Sequence, residues 1–355
     1  MGRRRPLIVG YYGEHNLGDD ALLTALLAQL PEPARAGAIV TAADAAAVAA
    51  MAPVATVPRR SLGEVRRALS AADALVFGGG SLLQDSTSLR SLVYYAVLIV
   101  QARLQGTPVL FWGQGLGPLH HRRSRWLVAR LLPLVSAAAW RDQPSATLAR
   151  RLGRPAGDPV GADPVWTAPA PEWHGPGGPI VLAWRPTPLL DARGWQTLLD
   201  AVETLAVEAG REVLWLPFHG DQDRELPAQL GSRWRQVPCP TVEAALTQLA
   251  GAGLVLAMRL HALILAIRCG APSAALAYDP KVSAAADAAG CPCTDLQQTP
   301  TMERLLQSWR PLLDRPGPAE RIATLQGRAA VHRDLLLAWF SPPTAGARVD
   351  PAAGP

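Results

Sequence analysis

Lysine, paired cysteines and long apolar runs are scarce in this 355-residue chain, and each absence excludes a class of protein. Lysine occurs once, at Lys281, so the net charge of +5 comes almost wholly from arginine. The four cysteines (Cys239, Cys269, Cys291 and Cys293) form no Cys-x-x-Cys pair, and no histidines stand at the spacing of a zinc site. We therefore expect reduced thiols, with neither a disulfide framework nor a structural metal.

Basic residues form no long run and no face interleaved with aromatic side chains, which argues against nucleic-acid binding. The first ten residues have too short an apolar region for a signal peptide. The most apolar segment, residues 89–100, is far shorter than the ~20 residues that span a bilayer, and we interpret it as a buried helix. The sequence thus predicts a cytoplasmic protein.

Acidic residues are scattered rather than clustered, so the sequence predicts no divalent-metal site. No glycine-rich segment matches the Gly-x-Gly-x-x-Gly pattern of dinucleotide-binding folds. We expect the protein to need neither a metal nor a cofactor, because arginine and lysine can neutralise an anionic substrate.

The length fits two domains of about 150 to 180 residues each, and two domains imply a cleft between them. A segment rich in proline and glycine is predicted to link them. The predicted parts are an N-terminal Rossmann-like domain at 1–154, a linker at 155–179, a C-terminal Rossmann-like domain at 180–317, a helix at 318–340 that can pack back on the first domain, and a disordered tail at 341–355.

Short apolar runs alternate with helical patterns in both halves, which is typical of parallel βαβ units. The predicted strands lie at 6–12, 74–77, 107–112, 180–184, 212–217, 254–257 and 273–278. The predicted helices lie at 19–30, 88–105, 125–136, 194–209, 241–251 and 261–269. The alanine-rich stretch at 34–52 is predicted to be a helix-biased surface region.

Glycine-rich segments at 10–20, 78–85 and 113–117 follow the three strands of the first half, and we interpret each as a turn. The carboxyl ends of parallel strands are where ligands bind in such sheets. The first turn offers backbone N–H groups and a helix start to an anion, while consecutive glycines in the second allow close approach to a ligand. A tight turn that simply requires glycine is the alternative for each.

Arginines follow two further apolar runs. Arg141 can bind a phosphate or carboxylate bidentately, or it can pair with Asp142. Arg185 carries the same ambiguity, although its position at a strand's carboxyl end favours the cleft. Both are predicted to contact an anionic substrate.

Arg259, His261 and Lys281 follow two strands of the second half at one edge of the sheet, so we expect them to converge. Two cations beside an imidazole, which exchanges protons near neutral pH, suit a small and highly anionic substrate. A histidine that merely caps a helix is the alternative for His261.

Six motifs in one order, between residues 6 and 282, resemble those of polysaccharide pyruvyl transferases of the CsaB type. They are GYYGEHNLGDDALL, FGGGSLLQD, GQGLGPL, RDQPS, MRLHALI and YDPKV. The resemblance implies a GT-B-like α/β fold, with two Rossmann-like domains facing a cleft. It also implies an enzyme that moves the pyruvyl group of phosphoenolpyruvate onto a sugar, forming a cyclic ketal and releasing phosphate. Ala257 and Asp20 depart from the serine and glutamate that related sequences commonly carry there.

The resemblance also implies roles for individual residues. Arg259 and Lys281 would hold the phosphate and carboxylate of phosphoenolpyruvate, with His261 as the acid or a phosphate contact. Arg141 would belong to the same donor site, where the strand-end position also places Arg185. The residues implied to contact the acceptor sugar are His15, Asn16, Asp19, Gly79, Gly80 and Asp85.

The implied acceptor is an N-acetylmannosamine-type residue on a free or lipid-linked oligosaccharide, whose ketal would anchor proteins carrying S-layer-homology domains. The run His120-His121-Arg122-Arg123 can bring the enzyme to an anionic membrane, with a solvated helix start as the alternative. The sequence leaves a homo-oligomer open. The competing functions are a GT-B glycosyltransferase using a nucleotide sugar and a non-catalytic carbohydrate-binding protein.

Overall fold

The computed structural model describes residues 5–86 and 88–342, and its contacts divide the chain into two compact units. The first unit comprises residues up to Gly10, Leu26–Gly161 and the residues from Val331 onward. The second comprises Tyr11–Ala25 and Ala162–Ala330. Residues 343–355 of the predicted tail lie outside the described residues. Within the described residues, none of the helices combines the length and the apolar character of a membrane span.

The first sheet has seven strands, in the order β3-β2-β1-β4-β6-β5 with β7 on the other edge of β6. Gln114 of β6 pairs with Gly80 of β5 on one edge and with Trp140 of β7 on the other. Strand β4 pairs with the same edge of β6 as β5 does, so β5 continues the line of β4. Counting β4 and β5 as one interrupted strand gives the strand order of a Rossmann fold. The strands are β1 (Pro6–Tyr12), β2 (Ile39–Ala42), β3 (Ala55–Pro58), β4 (Ala74–Phe77), β5 (Gly80–Leu83), β6 (Val109–Leu116) and β7 (Ala137–Trp140).

One of the three predicted glycine turns is wrong, and a second is wrong in part. The segment 113–117 is largely strand, because β6 runs through it with all eight of its residues buried and pairs on both edges. Gly113 has a φ of 56° and stands where the β6–β7 register shifts, as at a β-bulge. Gly80 opens β5, and only Gly78 and Gly79 interrupt the strand.

Seven helices accompany the first sheet along the chain. They are α1 (Leu17–Gln29), α2 (Glu32–Ala36), α3 (Ala45–Met51), α4 (Leu62–Ser70), α5 (Leu89–Leu104), α6 (Arg122–Leu131) and α7 (Gln143–Arg151). The prediction of a helix-biased region at 34–52 is wrong in part, because β2 lies inside it with Val40 and Ala42 buried.

Helix α5 packs between α4 and α6 on one face of the first sheet, and all three helices contribute to one core. The prediction that 89–100 forms a buried helix is wrong for one of its faces. Leu92 and Ile99 are fully buried in that core, whereas Val93 and Val97 are exposed. The segment is apolar on both faces, so the sequence does not indicate which face packs against the core.

The second sheet has six parallel strands in the order β10-β9-β8-β11-β12-β13, which is again the Rossmann order. The prediction of two Rossmann-like α/β sheets is confirmed. The strands are β8 (Ile180–Ala183), β9 (Val213–Trp215), β10 (Arg235–Gln236), β11 (Leu254–Ala257), β12 (Ser273–Ala277) and β13 (Cys293–Asp295). The remaining helices are α8 (Ala192–Ala209), α9 (Gly220–Asp223), α10 (Leu226–Gln229), α11 (Val242–Ala250), α12 (Leu260–Cys269), α13 (Pro280–Ala289), α14 (Met302–Trp309) and α15 (Ala319–Phe340), with 3₁₀ turns at Leu132–Leu134, Pro164–Thr167 and Arg310–Leu312.

Candidate functional site

Polar and charged side chains follow four neighbouring strands of the second sheet at their carboxyl ends. Arg185 follows β8, His219 follows β9, Arg259 and His261 follow β11, and Lys281 follows β12. The strand order reverses between β8 and β11, and ligands of open α/β sheets bind outside the carboxyl ends at such a reversal. The topology therefore assigns four sequence-predicted residues to the edge where a ligand is expected.

His261, the second residue of α12, is held between Gly18 and Asp163. A Cβ atom at Gly18 would lie 2.2 Å from Nδ1 of His261, so only glycine leaves room for the imidazole. On the other side, Nε2 lies 3.5 Å from Oδ2 of Asp163. Asp163 is itself held because its Oδ1 accepts a hydrogen bond from the Val165 N–H at 3.0 Å. The ring orientation is thus fixed from two sides.

Arg259 is bound bidentately by Asp223. Its Nε donates to Oδ2 at 3.0 Å and its Nη2 to Oδ1 at 2.5 Å, while Nη2 also donates to Gln222 Oε1 at 3.0 Å. The Asp223 side chain is almost fully buried and also accepts the backbone N–H groups of Phe218 and His219. These hydrogen bonds use Nε and Nη2 of Arg259. The predicted phosphate contact of Arg259 stays a prediction.

His219 lies buried beside this pair. Burial lowers the pKa of His219, and the charge of Arg259 lowers it further, outweighing the opposing effects of Asp223 and Asp221. We expect a neutral imidazole at neutral pH, which can accept a hydrogen bond from a protonated ligand.

The loop before α1 is joined to the loop after β9. The Leu17 N–H donates to the Phe218 carbonyl and the Gly220 N–H to the His15 carbonyl, each at 2.9 Å. Asn16 also forms a β-bridge with His219. The segment that carries His15, Asn16 and Asp19 therefore belongs to the second unit, in contact with the His261 region through Gly18.

Asn16 and Asp19 are bonded to each other. The Asn16 amide donates to the Asp19 carboxylate, and its Oδ1 accepts the Gly18 N–H at 3.2 Å. His15 is exposed and has a φ of 54°, in the left-handed region. These three predicted acceptor contacts thus stand close together, His15 and Asn16 on the loop before α1 and Asp19 in its first turn, and their role stays a prediction.

Asp20 is a buried carboxyl group in the first turn of α1. Burial raises its pKa from the ordinary value of 3.8 to about 7, and the neighbouring charge of Asp19 adds to the rise, against a hydrogen bond from the Gly13 backbone. Among the described residues, no donor or acceptor bonds its Oδ1 atom.

Arg185 and Lys281 present cations at the ends of β8 and β12. The Arg185 guanidinium lies 4.6 Å from the Tyr278 ring centroid, and its Nη1 donates to the Tyr278 hydroxyl at 3.1 Å. Lys281 Nζ lies 3.7 Å from Asp279 Oδ2 and its side chain is 40% exposed. Both remain accessible to an anion.

Arg141, Gly79, Gly80 and Asp85 belong to the first unit. Arg141 donates from Nε to Asp142 at 2.9 Å and from Nη2 to Ser81 at 3.3 Å, as its alternative interpretation as an ion pair required. A Cβ atom at Gly115 would lie 2.7 Å from the Arg141 guanidinium, so this glycine makes room for it.

The buried amide of Gln114 connects these first-unit residues. Its side-chain N–H donates to the Gly80 carbonyl at 2.8 Å, and the backbone carbonyl of Gln114 accepts the backbone N–H of Arg141 at 3.1 Å. Gly80 and Arg141 are therefore brought together, while their assignment to acceptor and donor stays a prediction.

Asp85 holds the start of the loop before α6. Its two oxygens accept the backbone N–H groups of His120 and His121 at 2.8 and 2.9 Å. Burial acts to raise the pKa of Asp85, but these bonds outweigh it and lower the pKa to about 2. An ionised carboxylate engaged in this way is poorly suited to accept a proton, and its predicted sugar contact is untested.

Three residues of the site were not predicted from the sequence: Asp163, His219 and Asp223. Asp163 precedes Pro164, which signals a cap of a short helical turn but not a histidine partner. His219 comes two residues and Asp223 six residues after the predicted strand 212–217, and that position after a strand is the signal that could have included them.

Solved structures with the same fold bind or convert nucleotide sugars, as their descriptions state. Anabaena Alr3699/HepE in complex with UDP-glucose is 15% identical, with 95% of each chain covered and a TM-score of 0.56. UDP-GlcNAc 2-epimerase from Neisseria meningitidis is 13% identical over 94% of this chain and 100% of the other, with a TM-score of 0.62. UDP-N-acetylglucosamine 2-epimerase from Rickettsia bellii is 11% identical over 95% and 96%, with a TM-score of 0.58. The likeness identifies a GT-B-type α/β protein.

The sequence comparison is more specific than the fold. The family model described as polysaccharide pyruvyl transferase matches residues 16–280, which is most of the chain. The protein belongs to the polysaccharide pyruvyl transferase family. A search of the curated proteins found no match.

Proposed function

We propose that the protein uses phosphoenolpyruvate to form a cyclic pyruvate ketal on a sugar of a cell-wall polysaccharide precursor. The observation that supports this most is the fixed imidazole of His261 on a sheet edge that also carries Arg185, Arg259 and Lys281. Phosphoenolpyruvate carries a phosphate and a carboxylate, and the three cations match these two anionic groups.

The enol carbon of phosphoenolpyruvate needs a proton before the sugar can attack. In the proposal, His261 serves the substrate through Nδ1, because Nε2 is buried against Asp163. Protonated His261 gives its proton to the methylene carbon and the neighbouring carbon becomes oxocarbenium-like. The carboxylate of Asp163 orients the imidazole for this transfer.

Two sugar hydroxyls complete the reaction. The first hydroxyl forms a C–O bond to the electron-poor carbon and returns its proton to His261. The bond from that carbon to the phosphate oxygen then breaks, with the developing negative charge neutralised by Arg259 and Lys281. The second hydroxyl closes the ring and its proton leaves with the hydrogen phosphate, so atoms and charge balance.

The acceptor is proposed to be an N-acetylmannosamine-type residue on a free or lipid-linked oligosaccharide at the cytoplasmic face of the membrane, as in the CsaB type. His15, Asn16 and Asp19 offer donors and acceptors for sugar hydroxyls around the start of α1, where Gly18 packs against His261. The ketal carboxylate would then anchor S-layer proteins.

Phosphate release from phosphoenolpyruvate, with and without a disaccharide containing N-acetylmannosamine, tests the proposal. We expect release that depends on both the donor and the acceptor. Failure to release phosphate with any acceptor tried, under conditions where the protein is folded, would contradict it.

The fold likeness favours one second candidate, a glycosyltransferase that uses a nucleotide sugar. The same purified protein can be supplied with UDP-glucose and the same acceptor. Consumption of the nucleotide sugar without phosphoenolpyruvate would support this candidate and overturn the first.

A further inference from the structure

Helix α5 exposes a continuous apolar stripe on its outer face. Five of its residues are 41–79% exposed: Leu89, Val93, Val97, Val100 and Leu104. At 3.6 residues per turn they fall within about 80° of the helix circumference, so they form one strip along the whole helix. This strip, the α5 stripe, lies opposite the side chains that α5 buries in the core.

Arginines border the α5 stripe on both sides. Around the axis of α5, Arg90 lies about 20° beyond one border of the stripe and Arg103 about 40° beyond the other. Both arginines are exposed. The flanking helices add further exposed arginines, namely Arg66, Arg67, Arg122, Arg123 and Arg130. Across α4, α5 and α6 the sequence has one acidic residue, Glu64, and between Asp85 and Asp142 it has none.

An exposed tryptophan accompanies these charges on α6. Trp126 is 62% exposed, and the Arg130 guanidinium lies 5.1 Å from its ring centroid. Tryptophan rings prefer the boundary between lipid headgroups and acyl chains, and arginine side chains suit the headgroup phosphates.

We propose that this face, the α5 stripe with its arginine borders on α4 and α6, docks on an anionic phospholipid bilayer. An apolar strip with a cationic rim is the pattern of helices that lie in a membrane interface, where the strip enters the acyl boundary and the rim binds the anionic headgroups. The proposal does not depend on the chemistry at His261, and it would place the enzyme where a lipid-linked acceptor resides.

A second copy of the chain is the main rival occupant of this face. In a symmetric dimer the same patch meets itself, so the arginine borders of two copies would come together without acidic partners on α5 or α6. Like charges at such a contact repel each other, whereas an anionic bilayer neutralises them. The charge pattern therefore favours the lipid surface.

Sedimentation with sucrose-loaded vesicles tests the proposal in the absence of any substrate. We would use the full-length protein with vesicles of phosphatidylglycerol and phosphatidylcholine in equal parts, and with vesicles of phosphatidylcholine alone. We expect binding to the anionic vesicles, weakening as salt is added, and at least about tenfold weaker binding to the neutral ones.

Three variants sharpen the test. Val97→Glu places a charge in the stripe and should weaken binding about tenfold. Arg122→Glu reverses a border charge in the first turn of α6, where an acidic residue suits the helix dipole, and should weaken binding at least about fivefold. Val207→Glu is the matched control, since Val207 is 72% exposed on α8 in the second unit. It should bind as the wild type does.

Three outcomes would overturn the proposal. The first is equal binding to neutral and anionic vesicles. The second is a loss of binding in Val207→Glu as large as that in Val97→Glu. The third is a wild-type dimer, measured by sedimentation velocity, that Val97→Glu dissociates while vesicles bind neither protein. Phosphate release with a soluble acceptor should be the same in all three variants. A failure of the membrane-docking proposal can therefore be told apart from a failure of the proposed reaction.

Discussion

Oδ2 of Asp163 lies 3.5 Å from Nε2 of His261, and both side chains are largely buried. A carboxylate beside an imidazole holds the ring in one orientation. Asp163 acts through His261 and is therefore a positioning residue in the proposed reaction.

Asp163→Asn keeps the size of the side chain and removes its charge. We expect kcat to fall about 10²-fold, because the proposed proton donor loses the partner that orients it. Since Asp163 acts through the ring and not on the substrate, the KM for phosphoenolpyruvate should change little. A kcat close to that of the wild type, or a loss confined to KM, would leave Asp163 a structural role only.

Gly18→Ala tests whether the imidazole position matters. The new Cβ atom would lie 2.2 Å from His261 Nδ1, so the ring must shift. A displacement of about 1 Å can cost about 10²-fold in rate, and we expect a kcat loss of that order. Overpacking should also cost about 1–3 kcal/mol of stability while the fold, checked by circular dichroism, is retained. Gly63→Ala is the matched control, because Gly63 is also the second residue of a helix and its Cβ would meet no atom within 4 Å. Equal activities of the two variants would refute the steric argument.

Lys281 is the only lysine in the sequence, so amine acylation reports on one side chain besides the α-amino group. Its side chain is 40% exposed and should react readily in the free enzyme. We expect phosphoenolpyruvate to slow its acylation, measured by mass spectrometry of the peptide, and UDP-glucose to leave it unchanged. Protection by the nucleotide sugar alone would favour the glycosyltransferase.

Asp20 makes stability depend on pH. Burial raises its pKa from 3.8 to about 7, so the folded state binds this proton more tightly than the unfolded state. The stabilisation is complete below pH 3.8 and is lost as the pH rises to about 7. Each pKa unit corresponds to about 1.4 kcal/mol, which predicts a loss of roughly 4 kcal/mol. The free energy of unfolding of Asp20→Asn, relative to wild type, should increase over this interval in urea titrations. A constant difference at every pH would contradict the assignment.

Local patterns predicted most of the fold. The predicted bounds of β1, β4 and β11 agree with the structure, because each is a short apolar run that ends at a glycine, a loop or a polar residue. Local patterns failed where burial depends on distant partners. Gly113 lies inside β6 as a bulge, because strands on both edges pair with residues around it, and no turn forms there.

The candidate site was predictable only where a residue follows a strand. Arg185, Arg259, His261 and Lys281 were found in that way, from the rule that parallel sheets bind ligands at their carboxyl ends. Asp163 could not be found in that way, because it lies in a proline-rich segment about a hundred residues before its partner, His261. The Asp223–Arg259 pair likewise forms through tertiary contact and leaves no local pattern.

His261→Ala, compared with wild type in acceptor-dependent release of phosphate from phosphoenolpyruvate, tests the account most directly. His174→Ala is the control, since His174 is an exposed histidine of the same unit. A positioned proton donor is worth about 10²–10⁴ in rate, so we predict a loss of that size in His261→Ala, with the fold retained by circular dichroism and with His174→Ala fully active. Turnover of His261→Ala close to that of the wild type would contradict the account.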